Sequence, residues 1–171
     1  IVPAATGPGE IVVNGMSTSS RSSKFANSGI VTSIEMEDLS KYERYGALSG
    51  VCFQREIEAR AFEMAGKNLK APAQGLNDFV WEKQSGRSLE SSYSLGIEYT
   101  DLGAVLPDFV ARRLREGLKE FEKKRKGFLC KDAVLVGVET RTSSPVRIPR
   151  DPVTSEHVQI KRLYPSGEGA G

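Results

Sequence analysis

The sequence predicts an α+β fold, with short β-strands flanking a central helical region. Three observations carry this. Short β-branched runs lie near both ends of the chain, apolar residues recur at helical spacing between them, and no segment repeats internally. The chain has 171 residues, 39% of them hydrophobic and 27% charged, the composition of one globular domain with a core of its own.

From the N-terminus, "EIVVNG" (residues 10–15) predicts a short strand after the glycine turn "ATGPGE". The serine-rich "MSTSSRSSKFANSG" predicts a long hydroxyl-bearing loop, and "IVTSIE" (30–35) a second strand beyond it. A helix is expected from Gly50, with Phe53, Ile57, Ala61 and Met64 on one face and Gly66 as its stop. "APAQGLNDFVWEK" (71–83) predicts a second helix, Pro72 in its first turn and Leu76 and Val80 on one face. Residues 84–99 are turn-rich and show no period.

Thr100 is the expected N-cap of a short helical turn carrying Leu102, Val105 and Leu106. A longer helix follows, with Pro107 in its first turn. Phe109, Val110, Leu114, Leu118 and Phe121 form its apolar stripe, while Arg112, Arg113, Arg115, Glu116, Lys119 and Glu120 form a solvated face. "KKRKG" closes this helix, placing cations at the negative end of the dipole and Gly127 just beyond. "AVLVGVE" (133–139) predicts a strand buried on both faces. "HVQIKRLYP" (157–165) predicts a last strand with Val158, Ile160 and Leu163 turned inward.

Several function classes are excluded or weakened at this level. Lys and Arg number 24 against 22 Asp and Glu, so no dominant basic face points to nucleic acid. No apolar stretch is long enough for a membrane helix. One histidine, His157, leaves no Cys/His cluster for zinc, and in a strand-like run it is expected to be structural. Cys52 and Cys130 fit reduced, buried thiols in a cytoplasmic protein. Of the helix carboxylates, Glu56, Glu58, Glu63 and Glu120 among them, most are expected to be solvated partners of Arg and Lys. "ATGPGE" lacks the Gly-Lys-Ser/Thr ending of a phosphate loop and leads into a strand, so it is a turn.

The richest candidate is "VETRTSSPVRIPR" (138–150), at the C-terminal end of the strand "AVLVG". Ligands of α/β sheets sit at such strand ends. Arg141 and Arg147 offer planar forks for phosphate or carboxylate, and Thr140, Thr142, Ser143 and Ser144 supply hydroxyls. Pro145 and Pro149 stiffen the backbone between them. A rigid surface connection is the competing reading of the same residues.

Taken in order, "VVNGMS", "FANSGIV", "FQREIEARAFEMAG", "APAQ", "TDLGAVLPDFV", "VLVGVETRTSSPVRIPRD" and "LYPSGEGAG" resemble a little-characterised bacterial family of FAD-dependent dehydrogenases. These are relatives of the two-dinucleotide-type flavoprotein oxidoreductases. The resemblance implies that the chain is the central-to-C-terminal part of such an enzyme, without its N-terminal Gly-rich βαβ unit for FAD. Residues 1–171 would be a single substrate-side or cap domain, the late strands returning toward the flavin domain. Residues 163–171 would begin a flavin-contacting motif. Gly167, Glu168 and Gly169 would lie against the cofactor, and Thr140, Arg141, Ser143, Ser144 and Arg147 would line a cleft for a small, anionic substrate. The implied partner is the flavin-binding domain of the same polypeptide, and the implied cofactor is FAD, bound by the full-length protein and not by this segment alone. The resemblance names no catalytic residue. A noncatalytic module holding an anionic ligand or a partner protein through the same loop is the alternative.

Overall fold

The computed structural model describes residues 1–84 and 89–170. Residues 85–88, within the turn-rich reading, and Gly171, the last residue of the expected flavin motif, lie outside the described residues. The architecture is α+β, and the chain divides into two compact units. The first comprises residues 1–33 and 56–140, the second 34–55 and 141–171.

The first unit opens with β1 (Val2–Pro3) antiparallel to β2 (Val13–Asn14), pairing Val2 with Asn14 and Pro3 with Val13. The strand expected at 30–35 does not form: residues 31–35 are irregular, and Val31 and Ile34 are exposed. Ile11, Val12 and Val13 are instead buried, and the Val13 amide donates to Val138 O at 2.9 Å. The α1 helix runs Ser49–Met64, its residues from Glu56 onward belonging to this unit, and it stops at Gly66 (φ 88°). That φ is the left-handed conformation in which glycine ends helices.

The second expected helix is largely a strand. β3 (Ala71–Gly75) is fully buried and central, and only Leu76–Val80 is helical, as α2. β4 (Ile97–Tyr99) pairs parallel to β3, with Ala71 opposite Ile97, and β5 (Val134–Val136) pairs antiparallel, with Ala73 opposite Val136. Small side chains explain the outcome. Ala71 and Ala73 are buried completely, which lets two strands and the covering helices approach from every side. β5 is half-buried, as an edge strand is, and not covered on both faces as expected.

Helices α3 (Leu102–Val105) and α4 (Asp108–Lys124) complete this unit; α2 and α3 pack on β3, and α4 on both of them. The N-cap of α3 is Asp101, one residue later than expected, its carboxylate accepting from the Gly103 amide at 2.8 Å. Pro107 is the N-cap of α4. The stripe of α4 is core at Val110, Ala111 and Leu118, but Leu114 is only half-buried and Phe121 is exposed, its ring edge-on to Phe128 at 5.2 Å. Arg115 leaves the solvated face: its Nε donates to Phe79 O at 2.9 Å and its guanidinium lies 4.8 Å over the Phe79 ring. Gln74 is buried and satisfied, donating to Lys83 O at 3.1 Å and accepting from the Leu102 amide at 3.0 Å.

The second unit begins with a 3-10 segment, Met36–Leu48, which the sequence pattern does not announce; it is broken at Gly46. Its start is closed by Asp38, whose carboxylate accepts from the Glu35 amide at 2.9 Å. Tyr42 packs edge-on against Phe53 of α1 at 5.6 Å, and both are buried. The remainder, 141–170, is turns and loops with one 3-10 turn, Glu168–Ala170. The expected strand 157–165 is absent, and Val158, Ile160 and Leu163 are exposed. His157 explains this: its Nδ1 accepts from the Gln159 and Ile160 amides, both at 3.1 Å, and that bends the chain into a turn.

Candidate functional site

The site is built on the second unit from two segments about twenty residues apart in sequence. The Ser143–Arg147 loop is seated on the first turn of α1. A Cβ added to Gly50 would stand 2.9 Å from Pro145 Cβ and 3.0 Å from Pro145 O, so only glycine admits this approach. Within the loop, the Ser144 hydroxyl donates to Val146 O at 2.8 Å. The loop then meets the C-terminal turn. Ile148 N donates to Gly169 O at 2.6 Å, and a Cβ on Gly169 would lie 3.1 Å from Ser144 Oγ and 3.2 Å from Val146 O. Arg150 adds a further tie, donating to Pro165 O at 3.0 Å.

Residues singled out as substrate-facing (Ser144) and cofactor-facing (Gly169) are therefore in contact. Arg147 and Glu168 are both exposed beside that contact, and neither has a hydrogen-bonding or ionic partner among the described residues. Ser143 is exposed in the same way, and Arg141 is exposed at the loop's start. Thr140 belongs to the first unit. Its hydroxyl donates to Glu58 Oε1 at 2.5 Å.

Glu58 corrects an expectation. It is 0% exposed and not a solvated partner of a surface cation. It shares a helical face with Ala61 and Ala65, three and seven residues on, both fully buried. That phase is the signal by which a sequence reading could have found it. Glu56 and Glu120 do what was expected, pairing with Arg60 at 3.0 Å and Lys123 at 2.5 Å. Gly50 is the other residue missed, because its need for glycine arises from Pro145, far along the chain. Cys52 is half-buried and Cys130 exposed, both free thiols; Cys130 was expected to be buried.

A separate depression of about 420 Å³ in the first unit is lined by Trp81, Glu116, Lys119, Lys123 and Leu129 among others, with the Lys119 ammonium 5.0 Å over the indole. It holds none of the site residues.

Comparison with known proteins settles the family. Residues 1–142 match the family model described as FAD-dependent protein, C-terminal domain-like. The chain belongs to this FAD-dependent family. An uncharacterised protein of Clostridium beijerinckii is 42% identical over 173 residues, covering 100% of this chain and 32% of the relative, so the chain spans about a third of the length of that relative. Residues 143–171 lie beyond the part matched by the family model.

The family implies FAD, and the residues present can be tested against it. Gly167 (φ 95°) has nothing within 4 Å of where a Cβ would stand, and the neighbouring Glu168 carboxylate is exposed. An open turn with an unpartnered carboxylate suits a hydroxyl-bearing chain such as the ribityl group. The step from β3 to α2 does not have the form of a dinucleotide turn: α2, which follows Gly75, is five residues long and not the long helix that follows a Gly-rich dinucleotide turn.

Proposed function

We propose that this chain is the substrate-side domain of a FAD-dependent oxidoreductase and contributes one wall of the flavin and substrate cleft. The observation that carries the reading is the contact of the Ser144 loop with the Gly169 turn, next to which Arg147 and Glu168 are exposed and without protein partners among the described residues. FAD would supply the redox chemistry. Glu168 would accept a hydrogen bond from a cofactor hydroxyl, and Gly167 and Gly169 would let the backbone approach. Arg147, with Arg141 and the Ser143 and Ser144 hydroxyls, would orient an anionic small-molecule substrate. Thr140 would act at one remove, holding the strand exit in place through Glu58. No helix among the described residues is long and apolar enough to cross a membrane, and two free thiols suit the cytoplasm.

The test uses a full-length polypeptide that carries this segment. It should purify with a flavin spectrum. Glu168→Ala should weaken FAD binding about ten- to 150-fold, the equivalent of one hydrogen bond to a charged group. Glu168→Gln should lose less, because its amide oxygen still accepts. Arg147→Ala should leave FAD affinity unchanged. Equal FAD dissociation constants for wild type and Glu168→Ala, by flavin fluorescence titration, would remove the turn from the site.

A further inference from the structure

We infer that residues 151–163 form a rigid docking surface for the remaining part of the same polypeptide, an inference that rests on the reading of this chain as one domain of a longer flavoprotein. The segment is two consecutive closed loops. In the first, the Asp151 carboxylate accepts from the Val153 amide at 2.9 Å and the Thr154 amide at 2.7 Å, and Asp151 N donates to Glu156 O at 2.8 Å. In the second, His157 Nδ1 takes two amides, and His157 N donates to Leu163 O at 2.7 Å. The Arg150–His157 bridge joins the loops at their base.

Asp151, Thr154, Glu156 and His157 turn polar atoms onto the local backbone, and the apolar side chains face water. Val153 is 89% exposed, Val158 57%, Ile160 54% and Leu163 41%. Such a run of large exposed apolar side chains in one short segment is the composition of an interaction surface. Preorganised loops lower the entropy cost of docking, because few backbone angles remain to be fixed. Lys161 and Arg162 are exposed in the same segment, and interfaces combine apolar with charged residues in this way.

The occupant follows from length. The Clostridium relative aligns with this whole chain over only 32% of its own length, so a protein of that size carries about two-thirds of its residues outside the aligned segment. Those residues are covalently present at high effective concentration, whereas a second copy or a foreign protein must be recruited from solution.

The experiment is thiol labelling of Val153→Cys and Ile160→Cys in the full-length polypeptide, read peptide by peptide in a mass spectrometer, native and in denaturant. Both sites sit on exposed loops, so neither substitution threatens the fold. The expected result is native labelling slower than denatured labelling by about 100-fold or more, the protection of a covered site. Native and denatured rates that agree overturn the surface. Sedimentation of the 171-residue chain provides the second arm: a dimer that Val153→Asp abolishes would make the occupant a second copy and overturn the assignment, and a monomer supports it. The flavin spectrum of the same full-length sample separates the two proposals. Protection without flavin leaves this surface standing and sinks the oxidoreductase reading; flavin without protection does the opposite.

Discussion

Gly50 shows how one residue can place a loop that starts ninety residues later. Adding a methyl group there drives it into Pro145 Cβ and O, and the carbonyl belongs to backbone that cannot rotate away. Overpacking of this kind costs about 1–3 kcal/mol, against a gain of up to about 1 kcal/mol from replacing a helical glycine. Gly50→Ala should therefore lower stability in denaturant unfolding and shift the amide resonances of Ser143–Arg147, whereas an unshifted loop would show that it is not seated on α1. Thr140→Val removes the hydroxyl that reaches the buried Glu58 and should cost about 1.5–3 kcal/mol by the same measurement. Asp151 gives a pH test. The amides of Thr154 and then Val153 hold its carboxyl below the ordinary value of 3.8. A depressed carboxyl stabilises the fold above its unfolded pKa and loses that contribution as pH falls through the folded value. Amide exchange at Val153 and Thr154 should thus quicken only when the pH falls below 3.8, and a carbon-detected titration of Asp151 should find its midpoint below that value.

Helices α1 and α4 were legible because their apolar spacing is long and regular, so periodicity outweighs any single residue. β3 was not legible. "APAQG" carries no β-branched residue, and Pro72 beside the periodic Leu76 and Val80 mimics a helix start; burial between two partner strands decided the conformation instead. The last strand failed for the opposite reason. Val158 and Ile160 alternate as strand residues do, but His157 and Glu156 take the local amides and bend the chain. For the candidate site, the chemistry of Arg147 and Glu168 could be read from residue type, while the meeting of the loop with the C-terminal turn depends on tertiary ties such as Ile148 to Gly169. Within α4 the burial gradient sets a ranking. Leu118→Ala, at 1% exposure, should cost about 2–5 kcal/mol. The half-buried Leu114→Ala should cost clearly less, and the exposed Phe121→Ala least, with denaturant midpoints checking the order.

The two units differ sharply in the apolar residues they bury. Nearly all the core lies in the first, while the second rests on Tyr42, Phe53 and a few small or polar residues. The second should open at lower denaturant. Labelling of Cys52, in a Cys130→Ser background, reports on it, and fluorescence of Trp81 reports on the first; the Cys52 transition should come earlier. On the proposed reading the 171-residue chain alone should carry no flavin after purification, since the helix that follows Gly75, at the end of β3, has only five residues and is not the long helix of a dinucleotide turn. Stoichiometric flavin bound to it would contradict that outcome. The order of the sheet also has a consequence for biosynthesis. β3 pairs with β4 soon after both are made, but its other neighbour, β5, lies about sixty residues downstream. At about 5–20 residues per second, a ribosome leaves that edge of the sheet open for several seconds. A strand of Val or Ile held open so long would invite a neighbouring nascent chain to add to it. The residues waiting there are Ala, Pro, Ala, Gln and Gly, which give a stray strand little to grip until Val134–Val136 emerges.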